Sequence, residues 1–300
     1  MKTKTYLFAL MTMALTLGSC SDNENGIGGE TSKYITVSTS IGNMTRVATD
    51  EKGGQTFEEG DEISVYAWTG DATVAPETRE RVVNNAINKL TNGSWISNPQ
   101  MLWKNNRDKH YFIGVYPISA ISDLSAGEYT FDETKQVESD LLVAVNKDGL
   151  SYNVDEQQPV PLTFTHVMAK LVVNLTYKNQ WGGIPTVEKV VVGNAAKEAT
   201  INYLTKVVTP STTAKEDFSL PEITENTKYV SVIIPQEEVT QLTIVIGGKN
   251  FVYDNGTPFK LESGKITTVN LEVGRDEIKL GDVKITNWED GSTFSGEALN

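Results

Sequence analysis

The stretch LTFTHVMAKLVVNL, residues 162–175, decides how the rest of the chain is organised. In an extended strand successive side chains point to opposite faces, so apolar residues recur at every second position. Leu162 and Phe164 follow this period, and a second apolar set begins at Val167 and continues to Leu175. The second set is offset by one residue from the first. The pattern therefore predicts two strands that meet near residues 165–166.

A helix is the alternative interpretation of the same stretch, because Met168, Ala169, Lys170 and Leu171 are good helix formers. The paired valines that follow favour a strand, and no capping residue marks a helix start. We therefore interpret residues 165–166 as the junction between two β domains, covering residues 34–165 and 166–300.

The N-terminus is typical of a lipoprotein signal peptide, residues 1–19. Lys2 and Lys4 precede an apolar run at residues 6–17, which is shorter than the ~20 residues needed to cross a bilayer. The following LGSC, residues 17–20, resembles a lipobox, and Cys20 is the only cysteine of the chain. An ordinary secretory signal with an accidental cysteine is the alternative. Acylation of Cys20, for example with palmitate, would anchor the protein and leave no free thiol.

Charge limits the partners of the mature protein. Residues 20–33 are acidic and glycine-rich, which predicts a flexible tether. Loss of the signal peptide with Lys2 and Lys4 lowers the formal net charge from −13 to −15. Nucleic acid is excluded as a partner on this ground, because its phosphates require a basic surface.

The remainder predicts an all-β protein. One face of the first strand carries Ile35, Val37, Thr39 and Ile41, and Tyr34 begins the other face. A polar linker with Arg46 follows, and further short strands separated by turn residues are typical of β-sandwiches. The exception is residues 78–90, where a helix is predicted from an apolar stripe formed by Val82, Val83, Ala86 and Leu90.

A search for catalytic chemistry finds no motif. The two histidines, His110 and His166, lie far apart, and neither a zinc-protease nor a nucleophile-elbow nor a phosphate-loop pattern is present. We expect no catalytic residue, no metal and no cofactor, and rank a hydrolase low. The acidic cluster Glu58, Glu59, Asp61 and Glu62 could hold Ca²⁺, but it does not match an EF-hand and suits a turn before a strand.

The five tryptophans divide by their surroundings. Trp68, Trp103 and Trp288 flank strand patterns and are expected in a core or an interface. Trp95 and Trp181 lie in Gly/Asn-rich stretches and are the better candidates for exposed aromatics that stack on sugar rings.

Several motifs in order carry a resemblance that spans nearly the whole mature chain. They are the lipobox at Cys20, the Thr-Arg pair at Arg46, FEEGDEISVYAW (57–68), WKNNRDKHYFIGVYP (103–117), DLLVA (140–144), LTFTHVMAKL (162–171), YVSVIIP (229–235) and KITNWEDG (284–291). Together they resemble the fimbrillin family, the lipoprotein pilins of Bacteroides-type bacteria. In such bacteria an acidic stretch after the lipidated cysteine resembles a surface-export signal.

The resemblance implies two tandem transthyretin-like β-sandwich domains and a structural role at the cell surface. Its subunits are exported as outer-membrane lipoproteins, trimmed by an arginine-specific protease and assembled by strand exchange into adhesive fimbriae. The expected partners are other pilin subunits, that protease, the outer membrane through the lipid anchor, and a host glycan or protein receptor. The alternative is a monomeric surface lipoprotein that binds glycans through exposed aromatics.

Applied to this chain, the resemblance implies cleavage between Arg46 and Val47. Arg46 is the one arginine between a lone N-terminal strand and the remaining strands. Cleavage there would release the strand containing Tyr34, Ile35, Val37, Thr39 and Ile41 together with the anchor. A strand of another subunit could then fill the exposed groove by β-augmentation, and head-to-tail contacts of this kind generate filaments.

The C-terminus leaves the position in a filament open. The candidate donor strand, residues 278–285, loses its alternation at Gly281 and Asp282. If this strand belongs to its own domain, a tip or accessory subunit is expected instead of a stalk subunit.

Overall fold

The computed structural model describes residues 33–42, 56–153 and 158–288. They contain nineteen strands and two short 3-10 helices, at Thr78–Glu80 and Asn179–Trp181. The strands up to the junction are β1 Val37–Ile41, β2 Glu62–Thr69, β3 Arg81–Thr91, β4 Ser94–Asn98, β5 His110–Tyr116, β6 Gly127–Thr130, β7 Leu142–Leu150 and β8 Val160–His166. No helix within these residues is long and apolar enough to cross a membrane.

Eleven further strands follow the junction. They are β9 Ala169–Tyr177, β10 Val187–Ala196, β11 Glu198–Asn202, β12 Val207–Pro210, β13 Lys215–Leu220, β14 Glu222–Thr224, β15 Lys228–Ile233, β16 Gln236–Ile246, β17 Lys249–Leu261, β18 Lys265–Val273 and β19 Ile278–Asn287. The prediction of an all-β fold with several packed sheets is confirmed.

The junction in the organising stretch separates two sheets. Strand β8 ends at His166 in a seven-stranded sheet, and β9 begins at Ala169 in a five-stranded sheet. Val167 and Met168 between them are buried, and Val167 N donates to Leu141 O at 3.0 Å. The one-residue slip is therefore the place where the chain changes sheets, and the helical alternative is wrong.

The seven-stranded sheet has the order β1-β8-β7-β5-β2-β3-β4 and curls until its two edges meet. Trp95 Nε1 in β4 donates to Thr39 Oγ1 in β1 at 3.0 Å across this closure. The β1–β8 pair is parallel, and the other pairs of the sheet are antiparallel. The inner face buries one apolar cluster, which includes Ile35, Val37, Ile63, Val65, Met101, Phe112, Leu162 and Phe164.

Beyond the junction the strands form a five-stranded sheet of order β14-β15-β9-β18-β19 and a four-stranded sheet of order β13-β10-β16-β17. A three-stranded sheet pairs β6, from before the junction, with β11 from after it. The larger apolar core contains residues from before and after the junction, for example Val115 and Val143 together with Leu171 and Val269. The division into two domains at residues 165–166 stays a prediction.

The predicted helix at residues 78–90 is wrong. Only Thr78–Glu80 is helical, and strand β3 begins at Arg81. The apolar spacing that suggested a helix arises from an irregularity in the ladder, where Val65 pairs with Ala86 but Ala67 pairs with Val83. Asn85 adopts a left-handed backbone with φ 54° at this point. Because a bulge inserts an extra residue, two residues three apart face the same side of a strand.

The broken alternation at Gly281 is also a bulge, in edge strand β19. Leu280 pairs with Leu271, and after the register shift Val283 pairs with Val269. The extra residue returns the apolar residues of β19 to one face. This strand therefore belongs to the chain's own five-stranded sheet.

Candidate functional site

Strand β1 fills the gap between β8 and the extended residues 101–103. It pairs with β8 from Val37 opposite Val160 to Ile41 opposite Phe164. Besides this ladder, hydrogen bonds run from Ile35 N to Met101 O at 2.9 Å, from Trp103 N to Lys33 O at 3.0 Å, from Val160 N to Thr36 O at 2.8 Å, and from Gly42 N to Phe164 O at 2.8 Å. The surface that receives β1, formed by β8 and residues 101–103, is here called the β1 groove.

The predicted alternation of this segment is present. Ile35 and Val37 are 1% and 6% exposed, whereas Tyr34 is 54% exposed. Thr39 and Ile41 are half-buried and lie on the same face as Ile35 and Val37. Full burial of an Ile or Val side chain contributes ~1.5–3 kcal/mol. The two buried side chains and the backbone ladder therefore give β1 a specific fit to the groove.

The predicted processing and lipidation residues lie outside the described residues. These are Arg46, Val47 and Cys20, together with the signal peptide and nearly all of the tether. Gly42 is the last described residue before the linker, four positions ahead of Arg46.

A second constellation, here called the junction cluster, consists of Asp140, His166, Lys170 and Trp288. His166 Nδ1 lies 2.8 Å from Asp140 Oδ1. The imidazole stacks on the Trp288 ring with centroids 4.1 Å apart and planes at 6°. Lys170 Nζ lies 5.3 Å from the Trp288 ring centroid. The cluster thus fastens the end of β19 to the junction and gives His166 a structural environment.

Lys170 was not recognised from the sequence as a buried charge. Alternation places Lys170 on the face of β9 opposite the apolar set, where a solvent-exposed side chain is expected. Lys170 is nevertheless only 3% exposed. Strand β9 is central in its sheet, between β15 and β18. On that face of β9 the Trp288 ring covers the ammonium group of Lys170. No local sequence pattern indicates this contact, because Trp288 lies more than 100 residues further along the chain.

Burial makes the stability depend on pH through Lys170. Desolvation lowers the pKa of Lys170 to about 8 from 10.5, and the nearby Asp140 partly offsets this. Between these values the folded protein binds fewer protons than the unfolded chain, so the free energy of unfolding rises with pH. We expect Lys170→Met to flatten this rise, which is at most about 3 kcal/mol. Urea denaturation at pH 7.5, 8.5 and 9.5 measures it.

The exposed Lys189 offers the matched control for that measurement. Lys189→Met should retain the wild-type pH dependence, because its ammonium is hydrated in both states. Equal slopes for wild type and Lys170→Met would contradict the assignment.

The other candidate residues have local structural roles. Burial lowers the pKa of His110, whose Nε2 accepts from Lys104 N at 3.0 Å while Nδ1 lies 3.1 Å from Asp108 O. Three carboxylates of the acidic cluster have protein partners: Glu58 N donates to Asp61 Oδ2 at 2.7 Å, Asn92 N donates to Glu59 Oε1 at 2.9 Å, and Lys89 Nζ donates to Glu62 Oε1 at 3.1 Å. Across residues 33–42, 56–153 and 158–288 no three His, Cys, Asp or Glu residues gather as metal ligands.

The tryptophans expected to be exposed are half-buried. The Trp95 ring packs edge-on against Phe57 with centroids 5.3 Å apart. Trp181 Nε1 donates to Val273 O at 2.9 Å, and its ring packs against Phe251. Trp68 and Trp288 are buried, as predicted. Both rings are therefore half-buried and in contact with other aromatic rings, which does not favour the glycan-binding alternative at these two positions.

Solved structures share this fold at low sequence identity. A candidate cell adhesion protein from Bacteroides ovatus has a TM-score of 0.65 at 18% identity, over 85% of this chain and 98% of that chain. One from Bacteroides uniformis has a TM-score of 0.64 at 18% identity, over 85% of this chain and 99% of that chain. A fimbrial protein from Bacteroides vulgatus has a TM-score of 0.52 at 13% identity, over 84% of this chain and 99% of that chain. No curated protein matches the sequence significantly.

The closed seven-stranded sheet, the packed sheets beyond the junction and the groove filled by an N-terminal strand define a β-sandwich protein. A family model described as fimbrillin-like matches residues 45–288. The chain belongs to the fimbrillin-like family. Membership supports a pilin-type structural role, without enzymatic activity, in assemblies of fimbrial subunits at the cell surface.

Proposed function

We propose that this protein is a fimbrial subunit that accepts a β-strand of another subunit in the β1 groove. It is exported as a lipoprotein anchored through Cys20 to the outer membrane, and an arginine-specific protease trims it between Arg46 and Val47. The observation that carries the proposal is the position of β1. It is a separate edge strand whose buried side chains close a core, and it is joined to the next described residues through the linker that contains Arg46.

The contacts of β1 suit replacement by another strand. Backbone groups on both sides of the groove pair with it, and such pairing is independent of side-chain identity. Two buried positions, Ile35 and Val37, select β-branched side chains at alternate residues. Removal of β1 would leave the edge of β8 unpaired, and an unpaired edge with an apolar groove recruits a new strand.

Strand β19 bears on the position within the filament. It pairs along its length with β18 of the same chain, so donating it would require breaking that ladder. This pairing favours a tip or accessory position, in which the subunit accepts a strand without donating β19. Adhesion to a host surface is the corresponding role for such a subunit.

Exchange in the β1 groove can be measured directly. The mature chain is treated with an arginine-specific protease and mixed with a fluorescent peptide of residues 33–42. We expect cleavage to yield a new N-terminus at Val47 and the labelled peptide to replace β1. A peptide carrying Val37→Asp should enter at least about tenfold less well, because burial of an unpaired carboxylate is unfavourable.

Arg46→Ala is the matched control, since it keeps β1 attached and should block both the new N-terminus and peptide entry. The exposed Arg79 provides the second control, and Arg79→Ala should leave both unchanged. Peptide entry at the same rate into the Arg46→Ala protein, or into neither protein, would refute the proposal.

A further inference from the structure

A pocket on the N-terminal half lies apart from the β1 groove and the junction cluster. It encloses about 750 Å³, within the size range of small-ligand sites. Its wall combines the apolar residues Val74, Ala75, Pro76, Val82 and Leu102, the aromatic residues Trp68 and Trp103, the hydroxyl of Thr69, and the charged residues Asp71, Arg79, Glu80, Arg81 and Lys104. It is here called the rim pocket.

The rim pocket gathers cations in a strongly acidic protein. Three of the chain's 26 basic residues line it, although the formal net charge of the chain is −13. Its acids are held by their own turns: Asp71 Oδ1 accepts from Thr73 N at 2.7 Å, and Glu80 Oε2 accepts from Glu77 N at 3.0 Å. The wall therefore holds three cations and two carboxylates, and an anionic ligand group is drawn to the cation that has no carboxylate partner among the described residues.

Lys104 is the available cation of this wall. Its Nζ donates to Thr69 Oγ1 at 3.2 Å, and no carboxylate within the described ranges lies at ion-pair distance from it. Arg79 is highly exposed, and its one ion pair among the described residues is with the exposed Glu77 at 2.9 Å. An exposed pair of this kind contributes little, so the guanidinium can turn toward a ligand.

The segment that carries Trp103 and Lys104 is held in place before any ligand binds. His110 Nε2 accepts from Lys104 N at 3.0 Å, and the Trp103 ring stands edge-on to His110 with centroids 5.0 Å apart. Burial keeps the pKa of His110 low, so the ring stays neutral and remains an acceptor. A preorganised wall binds more tightly because less conformational freedom is lost on binding.

We propose that the rim pocket binds a carbohydrate that carries a carboxylate, such as a uronic acid. The carboxylate meets Lys104 and Arg79, since both cations line the same pocket. The apolar face of the sugar ring packs on Val74 and Leu102, which line the pocket and are 59% and 50% exposed, and its hydroxyl edge meets polar groups of the wall such as Thr69 Oγ1. This site differs from the aromatic positions at Trp95 and Trp181, and it gives a fimbrial subunit a chemically defined adhesion target.

The test titrates the mature chain with a glucuronic-acid disaccharide and with the matching glucose disaccharide, using isothermal titration calorimetry. We expect the acidic sugar to bind at least about tenfold more tightly than the neutral one. Lys104→Ala should weaken binding of the acidic sugar by about tenfold, and Lys104→Arg should restore it. Val74→Asp, which adds an acid at an exposed wall position, should also weaken it.

Lys89→Ala is the matched control, because Lys89 is exposed, lies outside the pocket and pairs with Glu62. It should bind the acidic sugar like the wild type. Circular dichroism and thermal unfolding of each variant separate loss of binding from loss of folding. Equal binding of the two sugars, no binding of the acidic sugar, or unchanged binding by folded Lys104→Ala and Val74→Asp proteins would overturn the proposal.

Discussion

Replacement of Gly114 by alanine is expected to destabilise the seven-stranded sheet by about 1–3 kcal/mol, and valine by more. Gly114 in β5 pairs with Ala144 in β7, which pairs with Phe164 in β8. The Phe164 ring lies across this row of small residues, so a Cβ on Gly114 would stand 2.6 Å from Phe164 Cζ and 3.1 Å from Leu162 Cδ1.

The sign of this effect follows from two opposing magnitudes. A glycine in a strand interior usually costs about 0.5–1 kcal/mol relative to alanine, so the substitution alone would be favourable. Phe164 is fully buried and packs edge-on against Phe57 with centroids 5.1 Å apart, so its ring has little room to move. The steric cost therefore exceeds the gain in strand propensity.

A double-mutant cycle separates the clash from other effects of the alanine. Phe164→Leu removes the ring atom that is nearest to the new Cβ. In that background Gly114→Ala should cost at least about 1 kcal/mol less than in the wild type, measured by urea denaturation. An additive result, or a stabilised Gly114→Ala protein, would show that the ring is not what fixes glycine at this position.

Trp288→Ala is expected to destabilise the protein by about 3–5 kcal/mol, the usual loss for a buried tryptophan. Trp288 is 6% exposed, stacks on His166 and covers Lys170. Its removal admits water to the Lys170 ammonium, which should bring the pKa of Lys170 back toward its ordinary range. The rise in stability between pH 8 and pH 9.5 should therefore shrink in the same variant, as measured by urea denaturation.

Trp288→Phe is the informative control. The Trp288 Nε1 is buried and has no acceptor among the described residues, so phenylalanine sacrifices no hydrogen bond. It keeps a ring to stack on His166, and we expect it to lose less than half of what alanine loses. Equal losses for the two variants would mean that bulk at the junction matters little and that the stack is incidental.

The junction cluster and the β1 groove bear on assembly in different ways. The cluster fastens the end of β19 to the junction. The groove is instead closed by β1, which precedes the linker with Arg46, whereas β2 to β8 follow that linker. Weakening the cluster should therefore lower stability without admitting a foreign strand. Cleavage at Arg46 should admit a foreign strand, and stability should be retained when that replacement strand is present.

Local sequence patterns determined much of the architecture. The slip between Phe164 and Val167 located the change of sheet, and the alternation of Ile35 and Val37 identified the first strand with its buried face. Both succeed because the side-chain period of a strand depends only on the local backbone and on which face is covered. The motif order also indicated the family that residues 45–288 match.

Tertiary structure decided what local periodicity misrepresents or does not contain. The bulge at Asn85 imitated a helical stripe, and the bulge at Gly281 imitated a broken strand, because an inserted residue is defined only by the partner strand. The burial of Lys170, the fit of the Phe164 ring over Gly114, and the meeting of Trp103, Lys104 and Arg79 around one pocket depend on residues distant in sequence. Such contacts exist only after the sheets curl and pack, so no single stretch of the chain can encode them alone.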